Sequence, residues 1–221
     1  MKVLIFGATG MVGQGVLREC LLDPAVEAVT TIGRSATGVK DAKLREVVHK
    51  DLQHYESIES QLTGLDACFF CLGVTSGGKS ESEYTPLTYG ITLAAAECLV
   101  RLNPGMAFLY VSGAGADSTE KGRTMWARVR GRTENALFRL PFRAVYVFRP
   151  AAIIASHGER SRTAAYRISY ALLRPFVGIG RLFFPDYFLT TEELSRAMLK
   201  AVRTGAPKKL MESPDIAAFV R

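Results

Sequence analysis

At 221 residues, with 48% hydrophobic and 22% charged side chains, the chain carries enough apolar material for a large core, which excludes an intrinsically disordered protein. The net charge of +7 raises nucleic acid as a partner, but the basic residues are scattered, denser only from Arg123 to Arg174, and no specific nucleic-acid module accompanies them. An anionic small ligand together with a basic C-terminal lobe is the simpler account, with weak contact to a membrane surface or polyanion left open.

The chain opens on Val3-Leu4-Ile5-Phe6, a short buried-strand run that leads into Gly7-Ala8-Thr9-Gly10-Met11-Val12-Gly13. The spacing is G-x-x-G-x-x-G, a variant of the dinucleotide fingerprint, in the order strand, turn, helix. The first glycine permits a tight turn, and the second lets backbone amides approach a pyrophosphate. The third lets the helix pack closely on the strand, while the helix N-terminus supplies partial positive charge. A glycine-rich turn without a ligand is the alternative. The next strand, Ala28 to Ile32, ends at Gly33-Arg34-Ser35, roughly 20 residues past the glycines, where the ribose-reading residue belongs. An NAD-selective site carries Asp or Glu there to bond the 2′-hydroxyl. Here no acid is present, and Arg34 with Ser35 suits a 2′-phosphate through charge-assisted hydrogen bonds; the alternative is a solvated loop arginine. The cofactor expected is NADP(H).

Strands and helices keep alternating. Leu44 to His49 makes a third strand, ending at Lys50-Asp51-Leu52, where an acidic residue either meets the adenine end of a dinucleotide or forms a turn. A short helix from about Glu56 to Leu62 precedes a fourth strand, Ala67 to Leu72. A long helix, Thr85 to Leu102, stops before Asn103-Pro104-Gly105. Met106 to Val111 is a fifth strand, Arg123 to Arg139 a basic helix and Arg143 to Phe148 a sixth strand. This grammar predicts an α/β fold: a Rossmann-type doubly wound parallel sheet, with ligands across its C-terminal strand ends and a small C-terminal helical lobe. Cys68 and Cys71 form a C-x-x-C, but on a strand residues three apart point to opposite faces, so they neither share a metal nor pair easily. With Cys20 and Cys98 on helices, reduced buried thiols are expected.

Past Arg149-Pro150 the pattern changes. A polar, basic loop from His157 to Arg162 is followed by helical stretches near Thr163 to Leu173 and Thr190 to Arg203, with a Gly-, Pro- and Phe-rich segment, Pro175 to Phe188, between them. The organisation expected is one domain over residues 1–221, whose mixed segment 151–221 either covers a substrate cleft or packs as a plain lobe. The N-terminal apolar run of four residues is too short for a signal peptide. The most apolar stretch, Ile168 to Phe184, is interrupted by Arg174, Pro175 and Arg181, so no transmembrane segment is expected. The location expected from this is cytoplasmic, with a monomer or homodimer both open.

Taken together, Gly7 to Gly13, Cys71-Leu72-Gly73, Tyr110-Val111-Ser112 and Phe148-Arg149-Pro150 resemble the extended or atypical branch of the short-chain dehydrogenase/reductase superfamily. The order from Cys71-Leu72-Gly73-Val74-Thr75 through Ser112-Gly113-Ala114-Gly115-Ala116 is similar to the Tat-interacting oxidoreductase-like group and its small bacterial relatives. The resemblance covers nearly the whole chain and implies an NADP(H)-binding Rossmann protein. Its implied cofactor contacts are Gly7, Ala8, Thr9, Gly10, Met11, Val12, Arg34, Ser35, Asp51, Leu52, Leu72, Gly73, Val74, Thr75, Val111, Ser112, Arg130 and Pro150.

The family's Tyr-x-x-x-Lys pair does not carry over. Such enzymes place the two side chains on one helical face, where the lysine lowers the tyrosine pKa and the phenol exchanges a proton with the substrate oxygen. By position, Met125-Trp126-Ala127-Arg128-Val129-Arg130 puts Trp126 for the tyrosine and Arg130 for the lysine. Arg130 still offers charge and donors to a nicotinamide ribose; Trp126 donates a hydrogen bond but gives up no proton near neutral pH. Ser112, Trp126 and Arg130 are thus the catalytic candidates for oxyanion stabilisation, with Tyr84, Tyr89 or Tyr166 as stand-ins for the missing phenol.

Gly73-Val74-Thr75-Ser76-Gly77-Gly78-Lys79-Ser80 also matches the phosphate loop of nucleoside triphosphatases. Pro86 in the second turn of the following helix argues against it, as does the nucleotide fingerprint already present on the first strand. A mobile lid is the preferred account of this loop. The histidines His49, His54 and His157 are far apart in sequence, and no metal site is expected. The leading reading is an NADPH-binding oxidoreductase or epimerase-like enzyme acting on a small carbonyl or hydroxyl substrate. A catalytically inactive NADPH-dependent redox sensor or regulatory binding protein is its rival.

Overall fold

The structure, a computed structural model, describes residues 1–159, 180 and 182–221. The expected helix Thr163 to Leu173, Tyr166 and most of the apolar stretch Ile168 to Phe184 lie outside the described residues. A seven-stranded parallel sheet runs through the molecule, formed by β1 (Lys2–Phe6), β2 (Ala28–Gly33), β3 (Leu44–Val48), β4 (Ala67–Phe70), β5 (Ala107–Val111), β6 (Ala144–Arg149) and β9 (Leu210–Glu212). Its spatial order is β3-β2-β1-β4-β5-β6-β9. Lys2 pairs with Ala28 on one side of β1, and Val3 with Ala67 on the other. The strand order therefore reverses at β1 and β4, which is the topological switch point where such sheets open a ligand crevice.

The central strands are apolar on both faces because both faces are covered. Val3, Ile5, Phe69 and Leu109 face one core, together with α1 (Met11–Leu22), α5 (Thr191–Thr204) and α6 (Ser213–Val220). Leu4, Phe6, Cys68, Phe70, Phe108 and Tyr110 face the other, against α3 (Ile91–Leu102). Cys68 and Cys71 fall on opposite sides, as strand alternation requires, and the cysteines are free.

Two local departures from the sequence reading have physical causes. The long helix starts earlier than Thr85: α2 (Glu81–Thr85) begins at Ser80, whose hydroxyl accepts the Glu83 N–H while the Glu83 carboxylate accepts the Ser80 N–H. Pro86 does not end it. A π turn, Pro86–Gly90, widens the ladder, with the Ile91 N–H reaching the Pro86 carbonyl, and hands over to α3. Pro86 is therefore no argument against a phosphate loop. The stronger one is that Ser80, which would have to hold magnesium, is committed to the helix cap.

The C-terminal part does more than cover. A two-stranded parallel sheet joins β7 (Ala152–Ile154) to β8 (Phe188–Thr190). Beyond it, Leu189, Leu194, Met198, Met211 and Ile216 enter the same core as Val3 and Ile5. The edge strand β9 and helix α6 were not anticipated, because three residues, Leu210–Glu212, are too short a run to register as a strand.

The glycine turn is packed to contact. Gly7 has φ +77°, and a Cβ there would stand 2.8 Å from the Cys71 and Leu72 backbone. A Cβ on Gly13 would collide with the Gly7 carbonyl oxygen. Gly13→Ala should therefore lower stability toward the upper end of the roughly 1–3 kcal/mol that overpacking costs. Urea denaturation reads this directly, and an unchanged midpoint would show that α1 is free to move off the turn.

Candidate functional site

A cleft of about 1520 Å³ opens over the C-terminal ends of β1, β2, β4, β5 and β6. Single small-molecule pockets measure about 300–1,000 Å³, so this one has room for a dinucleotide and a substrate together. The fold gathers nearly all the sequence-predicted residues on its walls: the turn Gly7 to Val12, Arg34 and Ser35, Leu52, the run Leu72 to Thr75, Val111, Ser112, Trp126, Arg130 and Pro150. Asp51 is the exception. It sits exposed on the turn after β3, where its carboxylate accepts from the Gln53 N–H and from His54. Those bonds hold it below the usual carboxylate range, the Gln53 amide contributing most. Leu52, 6% exposed, forms the wall at that place.

The glycine turn fits a pyrophosphate on its own geometry. Helix α1 starts at Gly10 with no side-chain cap, and its first-turn amides bring partial positive charge to the cleft that Gly10, Met11 and Val12 line. At the opposite end, the loop after β2 is folded back on Glu46 of β3. The Glu46 Oε1 accepts both the Thr37 N–H and, at 2.6 Å, the Thr37 hydroxyl. This carboxylate is thereby occupied in holding the loop that carries Arg34 and Ser35.

The side of the cleft at the ends of β5 and β6 holds a network that sequence reasoning missed. Ser112, 7% exposed at the end of β5, donates its hydroxyl proton to Oε1 of Glu134, which is fully buried on α4 (Met125–Phe138). Arg149, at the end of β6, grips Glu134 with two nitrogens, Nε donating to Oε1 at 3.0 Å and Nη2 to Oε2. The Arg149 guanidinium also reaches Glu212 of β9 at 2.9 Å and the Ser118 hydroxyl at 2.7 Å. Burial works against the charge of Arg149, but the carboxylates of Glu134 and Glu212 outweigh it and hold its pKa above the ordinary value. A serine has one proton to give. Ser112 has committed it, so toward the cleft it offers lone pairs rather than the oxyanion donor expected of it. The available signal was spacing: Glu134 lies four residues after Arg130, on the same helical face.

Arg130 stands one turn earlier on that face, half-buried, with Nη2 next to Gly73. Burial opposes its charge too, yet Tyr110, Tyr84 and Glu134 around it more than compensate. Tyr110, buried beneath, has its phenol pushed up to about 12 by burial. Trp126 lines the cleft with its ring against Gly115, whose φ of +87° lets the backbone pass under the indole. Of the stand-in phenols, Tyr84 lines the cleft, whereas Tyr89 lies with its ring under Arg132, 4.6 Å from the guanidinium carbon, away from the cleft. Lys79 also lines the wall.

Outside the cleft, the fold brings His157 beside Glu19 and Glu192, with ligand atoms within 4.8 Å of one another. Glu19 is held by Arg18 and Arg196, and Glu192 by His157 and Arg196. The cluster is an ion-pair network that ties α1 to α5.

A family model described as the NAD-dependent epimerase/dehydratase family matches residues 3–214. The protein called "Protein fmp52, mitochondrial" of Emericella nidulans is 31% identical over 170 residues, which cover 74% of this chain and 71% of that one. A Burkholderia thailandensis oxidoreductase of the short-chain dehydrogenase/reductase family superimposes with a TM-score of 0.68 at 16% identity, covering 98% of this chain and 92% of that one. The dTDP-glucose 4,6-dehydratase DesIV of Streptomyces venezuelae, solved with NAD and TYD bound, gives 0.68 at 16% identity, covering 96% and 75%. The expected cytoplasmic location is overturned by the names of the curated relatives, which place those proteins in mitochondria. Among the described residues no helix is long and apolar enough to cross a membrane.

The buried pair generates a stability test. Removing one partner leaves an uncompensated buried charge, so Glu134→Ala should destabilise by about 3–5 kcal/mol. The apolar double variant Glu134→Leu with Arg149→Met should recover much of that loss. Urea melts of the three proteins compare them. A small effect of the single variant would mean that water reaches the pair.

Proposed function

The chain belongs to the NAD-dependent epimerase/dehydratase family, within the short-chain dehydrogenase/reductase superfamily, and from that premise we propose that it is an NADP(H)-dependent oxidoreductase of a small carbonyl or hydroxyl substrate. The observation that carries the nucleotide half is the ribose end of the cleft. Arg34 and Ser35 line it, while the Glu46 carboxylate is turned onto Thr37. A guanidinium and a hydroxyl match a 2′-phosphate in charge and in donor geometry.

The turn from Gly7 to Val12 would hold the pyrophosphate through backbone amides, and Leu72 to Thr75 with Val111 and Pro150 would wall the nicotinamide side. Arg130 would hold the nicotinamide ribose and keep positive charge at the reacting end. When bound, the nicotinamide supplies or accepts the hydride. Ser112, its proton given to Glu134, accepts a hydrogen bond from a substrate hydroxyl and so orients the carbon that bears it. Trp126 shapes the wall and excludes water. This assignment favours substrates that present a hydroxyl to Ser112, the alcohol side of the reaction.

Fluorescence titration with NADPH and NADH tests the nucleotide reading. NADPH should bind more tightly, and Arg34→Asp should weaken it by ten- to a hundredfold, the range of about 1.5–3 kcal/mol for a hydrogen bond to a charged group, with little change for NADH. Equal losses for both nucleotides would overturn the 2′-phosphate assignment. A panel of alcohols and carbonyls, with absorbance of the reduced nucleotide as readout, tests turnover. Tight binding with no turnover on any of them would favour the redox-sensing protein over the enzyme.

A further inference from the structure

The site has lost the tyrosine that its relatives' signature places on α4, yet a reaction that moves a hydride between carbon and nicotinamide must also move a proton at the substrate oxygen. Trp126 cannot supply it, Ser112 has already given its proton to Glu134, and Arg130 does not deprotonate. We propose that Tyr84 is the proton-transferring group, a phenol brought from α2 to the cleft wall that Arg130 also lines. This rests on the oxidoreductase reading and names the residue that completes it.

Three observations place it. Tyr84 lines the cleft together with Ser112, Trp126 and Arg130. Its side chain is otherwise packed away, 1% exposed, so a fixed wall holds the ring and little conformational freedom is lost in aiming the hydroxyl. Its position is set by a dedicated piece of backbone: the Ser80–Glu83 capping box starts α2, the Tyr84 N–H bonds to the Ser80 carbonyl, and Arg128 of α4 pairs with Glu81. These bonds dock α2 against α4 at Arg128, two residues before Arg130.

The pair reproduces with two elements what the family's signature builds on one helix. A cation on the same wall of the cleft favours the negative charge that develops on a reacting oxygen as its proton leaves. In the reducing direction the substrate carbon gains the hydride that the reduced nucleotide supplies, and the substrate oxygen gains the Tyr84 proton. The Tyr84 phenolate is left beside Arg130 and recovers a proton from water. In the oxidising direction the phenolate takes the hydroxyl proton as the carbon gives up its hydride. The arrangement also accounts for arginine where the signature has lysine. A planar fork can donate to Tyr84 through one nitrogen and keep others for a ribose, as a permanently charged group.

The test does not depend on knowing the substrate. An adenosine carrying a 5′-fluorosulfonylbenzoyl group seats its adenosine as the nucleotide does and presents an electrophilic sulfur to the far end of the cleft. A nucleophilic phenol displaces fluoride and forms an aryl sulfonate, which peptide mass spectrometry locates. The wild-type chain should be labelled at Tyr84, NADPH should block the labelling, and Arg130→Met should slow it by tenfold or more. Tyr89→Phe, outside the cleft, should leave it unchanged. Tyr84→Phe should lose the label yet keep its NADPH affinity within about twofold. With a substrate from the panel it should lose about 10²–10⁴ in kcat, the usual worth of a general acid–base group. Labelling confined to Lys79, or absent in a chain that binds NADPH normally, would overturn Tyr84 and leave the nucleotide reading standing. A chain that binds neither NADPH nor NADH would instead remove the oxidoreductase reading itself, and Tyr84's role with it.

Discussion

The close approach of three backbone segments at Gly7 is the constraint on which the cleft depends. The β1 turn, the first turn of α1 and the chain leaving β4 meet there with no space for a side chain, since a Cβ on Gly7 would stand 2.8 Å from the Cys71 and Leu72 backbone. That contact sits at the switch point of the sheet, where β1 and β4 are neighbours and their crossovers run to opposite sides. It brings the amide-rich end of α1 to the same opening as Leu72 to Thr75. A dinucleotide-sized crevice is the geometric result of that packing, rather than of any single ligand-binding side chain.

A second constraint works on the other half of the opening. The carboxylate of Glu134 is fully buried and receives bonds from Ser112 and Arg149 at once. A buried charge of this kind is tolerated only where its lone pairs are satisfied. Satisfying them pins the ends of β5 and β6 to α4, and through Glu212 also ties β9 to the same point. The polar network thus does for one half of the opening what glycine packing does for the other: it fixes strand ends and a helix in one register. Its consequence for chemistry is that the proton of Ser112 points inward.

The fold was largely legible along the chain. Continuous apolar runs such as Val3 to Phe6 and Ala67 to Phe70 read as strands because a parallel sheet covered on both sides needs no polar face. The alternation of those runs with helical periods gave the doubly wound class. The cleft walls were legible wherever a residue adjoins a strand end, because loop positions there face the crevice whatever their side chains. Asp51 failed that reasoning, since a short polar side chain on a turn satisfies itself through Gln53 and His54 and turns to solvent. Pro86 failed it in another way. The rule that proline ends a helix presumes an α ladder, and a π turn relaxes that ladder by one residue.

What the sequence by itself determined is whatever depends on neighbours along the chain: the glycine turn, the strand and helix periods, and the run Gly33-Arg34-Ser35 without an acid at the end of β2. Contacts between residues far apart were decided by tertiary structure alone. Ser112 and Glu134 are 22 positions apart, and Arg149 and Glu212 63, so no local pattern ties them. Which phenol reaches the cleft depends on how α2 docks on α4, and where Ser112 sends its proton depends on which carboxylate is buried behind it. Both follow from packing, because a buried polar group takes its partners from whatever the fold places within hydrogen-bond reach.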